Sequence, residues 1–196
     1  DFTGLLLGSL AHDLTEEQLE YKKFIDTALS KLEVMQSDLL TLSRMTTHGN
    51  PFAEVNIREV VDGAAREAGV NIVYNGSTET VWGDGEQISF ALQELFNNAK
   101  SFTRTDVPAQ IMVTVARVSN GIEIAVGDSG IGIEEKYFTE IFKIFRRLHA
   151  YGVYGSGAGS GLAIVQKIME RHGGRVGVSS RVGQGSIFTL SFPQKS

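Results

Sequence analysis

Two glycine clusters at the ends of predicted secondary-structure elements constrain this chain more than any other sequence feature. The chain has 22 glycines among 196 residues, above the usual share of about 7%. One cluster, residues 128–133, follows an apolar strand pattern, and the other, residues 155–161, opens into an apolar helix pattern. Glycine allows sharp turns and close backbone approach to a ligand. Each cluster alone therefore fits a ligand site, and equally a glycine-rich turn or a flexible linker.

Helix and strand patterns alternate through the chain after residue 55. Helices are predicted over residues 57–68, 83–102 and 161–172, and strands over residues 71–74, 111–118, 122–126, 175–179 and 186–192. Asn120-Gly121 and residues 183–185 join two pairs of strands as hairpin turns. Hairpins between helices predict an α+β fold, a two-layer α/β sandwich with a mixed, largely antiparallel sheet and helices on one face.

One long helix precedes this alternating region and is predicted over residues 15–46. Thr15 and Gln18 have the spacing of a capping box. The apolar residues recur at alternating spacings of four and three: Tyr21, Ile25, Ala28, Leu32, Met35, Leu39 and Leu42. This heptad pattern is typical of a coiled coil or helical bundle, and packing against the chain's own globular part is the alternative. We expect a homodimer through this helix.

Composition and charge exclude several classes of function. Without cysteine there is no disulfide, thiol nucleophile or cysteine metal site. The apolar stretches are shorter than the roughly 20 residues that span a bilayer, and the first residues lack a signal peptide's basic region. We therefore expect a cytoplasmic segment without direct membrane contact. A net charge of -5 argues against nucleic-acid binding, which needs clustered Lys and Arg.

Polar side chains on the helix predicted over residues 83–102 mark a second part of a ligand site. Glu94 and Asn98 lie four residues apart on one helix face, flanked by Asn97 and Ser101. An inward-facing Asn98 needs a polar partner, which the backbone or a hydrated Mg²⁺ with phosphates would supply. Residues 155–161 open into a helix and so predict a phosphate site. Neither the P-loop nor the Rossmann fingerprint is present.

Five short motifs then occur in the order and spacing of a known family. They cover residues 94–99, 128–133, 138–145, 157–162 and 183–186. They resemble the N, G1, F, G2 and G3 boxes of sensor histidine kinases, whose ATP-binding domain has the GHKL or Bergerat fold. Residues 142–149 most resemble the phytochrome-like branch. Residues 38–44 resemble the end of the second helix of the family's dimerisation and phosphotransfer domain.

The resemblance implies ATP and Mg²⁺ as cofactors and a role for each matching residue. Asp128 would read the adenine amino group, Asn98 would hold Mg²⁺, and Glu94 would polarise an attacking group. The remaining cofactor-binding positions implied by the motifs are Asn97, Ser101, Gly130, Gly132, Gly157, Gly159, Gly161, Leu162 and Ser186. A lid over roughly residues 145–156 would cover the triphosphate.

The resemblance also implies a division of the chain and a set of partners. Residues 1–48 would be a partial dimerisation and phosphotransfer hairpin, residues 49–54 a linker, and residues 55–196 the ATP-binding catalytic domain. The γ-phosphoryl group of ATP would pass to a histidine and then to the receiver domain of a response regulator, controlled by an upstream sensor domain. His12 is expected to lie in a hairpin loop just before the second helix, so that these residues would lack the acceptor motif. The alternative is that His12 is itself the acceptor.

Two departures from the family pattern leave a second function open. Ser101 replaces the usual lysine, and Lys100 is predicted to point about 100° away from that position. Ser160 stands where an apolar residue is usual. These differences predict weaker or slower ATP use. The alternative is a degenerate, non-catalytic module that dimerises and docks a partner, with weak or regulatory nucleotide binding. A serine kinase of the anti-sigma type would share the site but lack the heptad helix.

Overall fold

The computed structural model describes residues 15–47, 49–104, 110–149 and 157–194. His12 lies outside these ranges. The helices are α1 (Glu16–Thr47), α2 (Ile57–Ala68), α3 (Gly85–Ser101) and α4 (Gly161–Arg171). The strands are β1 (Ala53–Asn56), β2 (Ile72–Gly76), β3 (Thr80–Gly83), β4 (Ile111–Val118), β5 (Gly121–Asp128), β6 (Arg175–Arg181) and β7 (Gly185–Pro193). Two short 3₁₀ helices, Glu135–Tyr137 and Glu140–Phe142, follow β5.

Five of the strands form one sheet in the order β2-β4-β5-β7-β6. Strand β2 runs parallel to β4, and the other neighbours are antiparallel, so the predicted mixed, largely antiparallel sheet is confirmed. Strands β1 and β3 form a separate antiparallel pair that was not predicted. Ala53 and Glu54, which the sequence assigns to a linker, pair there with Gly83 and Trp82.

The core lies between one face of the sheet and helices α2, α3 and α4. On β4 the alternate residues Ile111, Val113 and Val115 are buried, whereas Met112 is exposed. Helix α3 buries the face predicted from its periodicity: Ile88, Leu92, Leu95 and Phe96. Helices α3 and α4 pack against each other, and this places the start of α4 beside the C-terminal half of α3.

The turn between β4 and β5 lies one residue earlier than predicted. Val118 pairs with Gly121, so Ser119 and Asn120 form the two-residue loop. Gly121 opens the strand with a φ of 147°, and a Cβ there would collide with the carbonyl oxygen of Phe192. Glycine is therefore required by the approach of β7.

Helix α1 has the predicted capping box and a largely exposed apolar seam. The N–H of Thr15 donates to Gln18 Oε1 at 2.9 Å, and the N–H of Gln18 donates to Thr15 Oγ1 at 3.3 Å. Tyr21 and Leu32 are 59% and 61% exposed, and only the C-terminal part of the seam, near Leu42, packs against the core. No helix in the described ranges is sufficiently long and apolar to cross a membrane.

The connection from α1 to the sandwich is fixed by a buried polar cluster, here called the clamp: Asp84, Arg171 and His172. The N–H of Asn50 donates to Asp84 Oδ2 at 2.7 Å, and Arg171 Nη2 donates to the carbonyl oxygen of Asn50 at 2.8 Å. Phe52 stacks on His172 with ring centroids 4.7 Å apart. The segment predicted as a linker is therefore held at several points.

Each member of the clamp is hydrogen-bonded. Asp84, 1% exposed, caps α3 by accepting from the N–H groups of Glu86 and Gln87, and it forms an ion pair with Arg171 at 2.9 Å. His172 Nε2 accepts from the N–H of Asp84 at 2.9 Å, and its Nδ1 lies 2.7 Å from the carbonyl oxygen of Ile168. These partners select the neutral tautomer with hydrogen on Nδ1.

Candidate functional site

A cavity of about 570 Å³ lies at the end of the α3 and α4 pair opposite the clamp. Helix α1 and the end of β5 complete its wall. Eleven of the residues predicted from the sequence line it: Glu94, Asn97, Asn98, Ser101, Asp128, Gly132, Gly157, Gly159, Gly161, Leu162 and Ser186. Gly130 is buried just behind Asp128. The five motifs, far apart in sequence, thus converge on one concave surface.

Asp128 places a half-buried carboxylate at the end of β5. Its Oδ1 accepts from the N–H of Gly130 at 2.8 Å and from the N–H of Ser186 at 3.3 Å. Burial raises the pKa of Asp128, although these two N–H groups act in the opposite direction. Within the described ranges Oδ2 makes no hydrogen bond, so it is available to accept from the N–H of a ligand.

The glycines beside Asp128 are required by the packing of the surrounding backbone. A Cβ on Gly130 would lie 2.5 Å from the carbonyl oxygen of Phe102. Gly132 has a φ of 72°, and a Cβ there would collide with the carbonyl oxygen of Arg181. The segment is pinned between the end of α3 and the β6–β7 turn. The packing therefore accounts for both glycines as parts of a tight turn, and a ligand site beside them remains compatible with it.

Helix α3 presents four polar side chains to the cavity, as its periodicity predicts. Glu94 and Asn98 are half-buried, whereas Asn97 and Ser101 lie exposed at the rim. Burial raises the pKa of Glu94, and the nearby charge of Asp38 on α1 raises it further. A raised pKa makes a carboxyl group a better candidate for proton transfer than a carboxyl group with the ordinary value.

The predicted offset of about 100° between Lys100 and Ser101 follows from the helix backbone, and it does not keep Lys100 from the cavity. Lys100 is exposed and also lines the cavity. A lysine stem of four carbons reaches around the helix surface, so a helical angle measured at Cα does not determine where the ammonium group lies. Part of Lys100 therefore borders the cavity beside Ser101.

Helix α4 begins at the cavity wall. Ser160, the residue before it, makes no capping hydrogen bond to α4. The first N–H groups of a helix and its dipole favour an anion. The Cα of Gly161 lies close to the Glu94 carboxylate, so a Cβ there would displace the Glu94 side chain. Gly159 has a φ of 86°, a backbone conformation that favours glycine.

Two arginines of the predicted lid also line the cavity. Arg146 and Arg147 lie within the predicted lid, at residues 145–156, and both border the cavity. Arg147 Nη1 donates to the carbonyl oxygen of Gly157. Arg146 Nε lies 3.4 Å from Glu140 Oε2, and the two residues form an ion pair. Residues 150–156 of the predicted lid lie outside the described ranges.

Sequence reasoning missed the contribution of α1 to this site. Val34, Asp38 and Thr41 line the cavity, and their spacing of four and three residues places them on one helix face beside the heptad seam. That spacing is the signal that could have found them. It was hidden because the stronger heptad pattern shares the helix.

The side chains present fit a hydrated cation delivered with an anionic ligand. No three His, Cys, Asp or Glu side chains form a metal cluster within the described part of the chain. The amide oxygen of Asn98 is a hard donor of the kind Mg²⁺ prefers, and Mg²⁺ is often held by few protein ligands together with phosphates and water. The predicted Asn98 ligand is therefore compatible with this cavity.

Residues 83–196 match the protein family described as histidine kinase-, DNA gyrase B-, and HSP90-like ATPase. The phytochrome-like protein Cph1 of Synechocystis sp. is 32% identical over 200 residues, covering 98% of this chain and 26% of that protein. The sensor protein SrrB of Staphylococcus aureus is 26% identical over 204 residues, covering 95% of this chain and 34% of that protein. The chain thus spans about a quarter to a third of these relatives.

Two solved structures have the same fold. The Acinetobacter baumannii histidine kinase AdeS superposes with a TM-score of 0.70 at 20% identity, covering 99% of this chain and 93% of that one. Full-length ShkA in complex with AMPPNP superposes with a TM-score of 0.63 at 24% identity, covering 94% of this chain and 41% of that one. The chain belongs to the family of histidine kinase-, DNA gyrase B- and HSP90-like ATPases, and it is a sensor histidine kinase core.

Proposed function

We propose that this chain binds ATP in the cavity and serves as the catalytic core of a protein histidine kinase in two-component signalling. The γ-phosphoryl group would pass to a histidine and then to the receiver domain of a response regulator. The observation that supports this most is Asp128 at one wall, whose Oδ2 has no hydrogen-bond partner among the described residues, and the N-terminus of α4 at another. A ligand with an amino group on a flat ring and an anionic tail matches both.

At the base end, Asp128 gives specificity. Its Oδ1 is held by two backbone N–H groups, so Oδ2 has a fixed direction. An adenine amino group donates to it, whereas the carbonyl oxygen of guanine at the equivalent position would face a carboxylate. Ile131, Ile133 and Phe188 supply apolar wall for a ring.

At the phosphate end, the residues position and neutralise charge. The N–H groups at the start of α4, with Lys100, Arg146 and Arg147, lie around an anionic tail. When bound, Mg²⁺ supplies charge neutralisation between phosphates, and Asn98 is the α3 side chain that would hold it. Glu94, with its raised pKa, would orient and deprotonate the attacking group.

The exposed seam of α1 supports a homodimer. Tyr21, Ile25, Leu32 and Leu39 form a contiguous apolar stripe that the sandwich leaves open, and such a stripe is stabilised by a second helix. Division of the chain into residues 1–48, 49–54 and 55–196 remains a proposal, with the linker anchored as described. An upstream sensor domain and a cytoplasmic location, where ATP is available, complete the proposal.

Calorimetric titration with ATP tests the site. We expect wild type to bind ATP, and Asp128→Asn to bind about 100-fold more weakly, because an amide donor would replace an acceptor and face the amino group. Asp62→Asn, the same change in charge at a partly exposed acid of α2 that lies outside the cavity lining, is the matched control. Equal affinity of Asp128→Asn and wild type would overturn the proposed base contact.

A non-catalytic module that binds nucleotide is the second candidate, because Ser101 and Ser160 depart from the family pattern. Incubation with γ-labelled ATP separates the two. Acid-labile label on the chain that His12→Gln abolishes supports the kinase with His12 as acceptor. Nucleotide binding without any transfer, including transfer to an added helical domain that carries an acceptor histidine, supports the module.

A further inference from the structure

A polar pair joins helix α1 to the phosphate end of the cavity. Ser160 Oγ donates a hydrogen bond to Asp38 Oδ2. Ser160 is 4% exposed and immediately precedes α4, whose first residue is Gly161. A buried hydrogen bond to a charged group contributes more than a typical neutral one, so this pair holds α1 against the start of α4.

The direction of the Ser160 side chain determines what lies at the start of α4. Ser160 makes no capping bond to α4. Its hydroxyl group donates to Asp38 on α1 instead. The partner is a carboxylate, and Asp38 also lines the cavity. A negative group of the protein itself therefore lies at the end of the cavity that the proposed function assigns to phosphates.

Asp38 lies in an environment that would disfavour a further negative charge. Asp38 and Glu94 both line the cavity, and the charge of Asp38 contributes to the raised pKa of Glu94, so two carboxyl groups already lie near this point. Within the described ranges Asp38 forms no ion pair. A triphosphate entering the cavity would add repulsion at this point.

We propose that the Asp38–Ser160 pair is a latch that holds α1 on α4 in the absence of nucleotide and that ATP binding opens it. The nucleotide part rests on the proposed function. Coupling between two sites is reciprocal, so ATP weakens the docking of α1, and loss of the latch charge strengthens ATP binding. The polar residue at position 160, a departure from the family pattern, thereby acquires a role.

The first test measures ATP affinity in Asp38→Asn. We expect binding to become about three- to tenfold tighter at low salt, and the gain to shrink as salt screens the charges. Glu33→Gln, an exposed acid on the same helix, is the charge-matched control and should change affinity less than twofold. Unchanged affinity in Asp38→Asn overturns the latch. Weaker binding only in the presence of Mg²⁺ also overturns it, since Asp38 would then hold the cation.

The second test needs no nucleotide. The chain has no cysteine, so spin labels at Ser30→Cys on α1 and Ser179→Cys on β6, both exposed, report the distance from α1 to the sandwich. Labelled chain is mixed with excess unlabelled chain, so that a dimer contains at most one labelled subunit and the distance is measured within one chain. We expect Ser160→Ala alone, and ATP with Mg²⁺ alone, to broaden the wild-type distance distribution.

The outcomes distinguish the latch from the proposed function. An unchanged distribution in Ser160→Ala overturns the latch whatever the nucleotide does. If Ser160→Ala broadens the distribution but calorimetry shows no ATP binding, the contact stands, and both its opening by ATP and the proposed function fail. If ATP binds and leaves the distribution narrow, the proposed function stands and the latch fails.

Discussion

The two ends of the α3 and α4 pair differ in how many partners their buried carboxyl groups have. At the clamp, Asp84 is surrounded by donors: Arg171, Asn50 and the N–H groups that it caps. At the cavity, the carboxyl groups of Asp128 and Glu94 have fewer partners, and no ion pair within the described ranges involves either of them. The same helices thus have one closed end and one open end.

The pKa values of the three carboxyl groups express this difference. Burial alone would raise the pKa of Asp84, but the hydrogen bonds from Arg171, Gln87 and Asn50 outweigh it and lower the pKa. Burial raises the pKa of Asp128 and of Glu94. A buried charge whose cost the protein does not offset marks a place where a ligand is expected. The clamp supports the fold, and the open end supports binding.

Breaking the clamp should have the largest effect on stability. Arg171→Ala leaves Asp84 buried without its ion-pair partner and removes the stacking of the guanidinium over Phe52. Loss of one partner of a buried pair costs about 3 kcal/mol or more. We expect a loss of about 3 kcal/mol in the free energy of unfolding, measured by urea denaturation.

Lys167→Ala is the matched control for that experiment. Lys167 lies on the same helix and pairs with Glu170 at 2.6 Å, with both side chains about half exposed. An exposed pair contributes less than about 1 kcal/mol. Similar losses for Arg171→Ala and Lys167→Ala would mean that the clamp is an ordinary surface pair.

Acid should weaken the clamp through His172, with an effect smaller than that of Arg171→Ala. Burial lowers the pKa of His172 below the value of about 6.5 expected in the unfolded chain. The unfolded state then binds more protons below about pH 6.5, so stability falls as pH decreases through that value toward the native pKa. Urea midpoints at about pH 7.5 and pH 5.5 measure the loss.

Protonated Nε2 can no longer accept from the N–H of Asp84, which is the physical reason for the loss. His172→Gln should reduce the difference between the two pH values. An equal difference in wild type and His172→Gln would assign the acid sensitivity to other groups.

Asp128 should contribute a pH dependence of stability opposite to that of His172. Its effect should be the smallest of the three. Because its native pKa is raised, ionised Asp128 costs stability above its unfolded pKa of about 3.9 and costs nothing below it. We expect Asp128→Asn to stabilise the chain by less than about 1 kcal/mol near pH 7, and the gain to vanish near pH 3.5. Destabilisation at pH 7 would show that Asp128 serves the fold.

The fold could be predicted from the sequence where a signal is local and repeated. The periodicity of α3 and the hairpin signals around β4, β5, β6 and β7 span many residues and agree with one core face. Strands β1 and β3 have only four residues each, too few to show an alternation. The anchoring of Asn50 depends on Asp84 and Arg171, which lie far along the chain, so no local pattern announces it.

The candidate site, like the fold, could be predicted from the sequence only in part. The order of the motifs predicted that Glu94, Asn98, Asp128 and Gly161 lie in one site, because each motif places a residue on or beside a predicted helix or strand. Asp38 joins them because α1 packs back on α4. Its spacing from Val34 and Thr41 places the three residues on one helix face, but that spacing does not show which element the face packs against. Tertiary packing, which single-sequence patterns do not record, supplied this part of the cavity wall.

Backbone amide NMR with ATP and Mg²⁺ tests most directly whether the open end binds nucleotide while the clamped end does not. Glycine amides report both ends of the helix pair. We predict large shift changes at Gly132, Gly159 and Gly161, which line the cavity, and little change at Gly83 and Gly173, which lie near His172. Changes at Gly83 and Gly173 without changes at the cavity glycines, or no changes at all, would contradict the assignment.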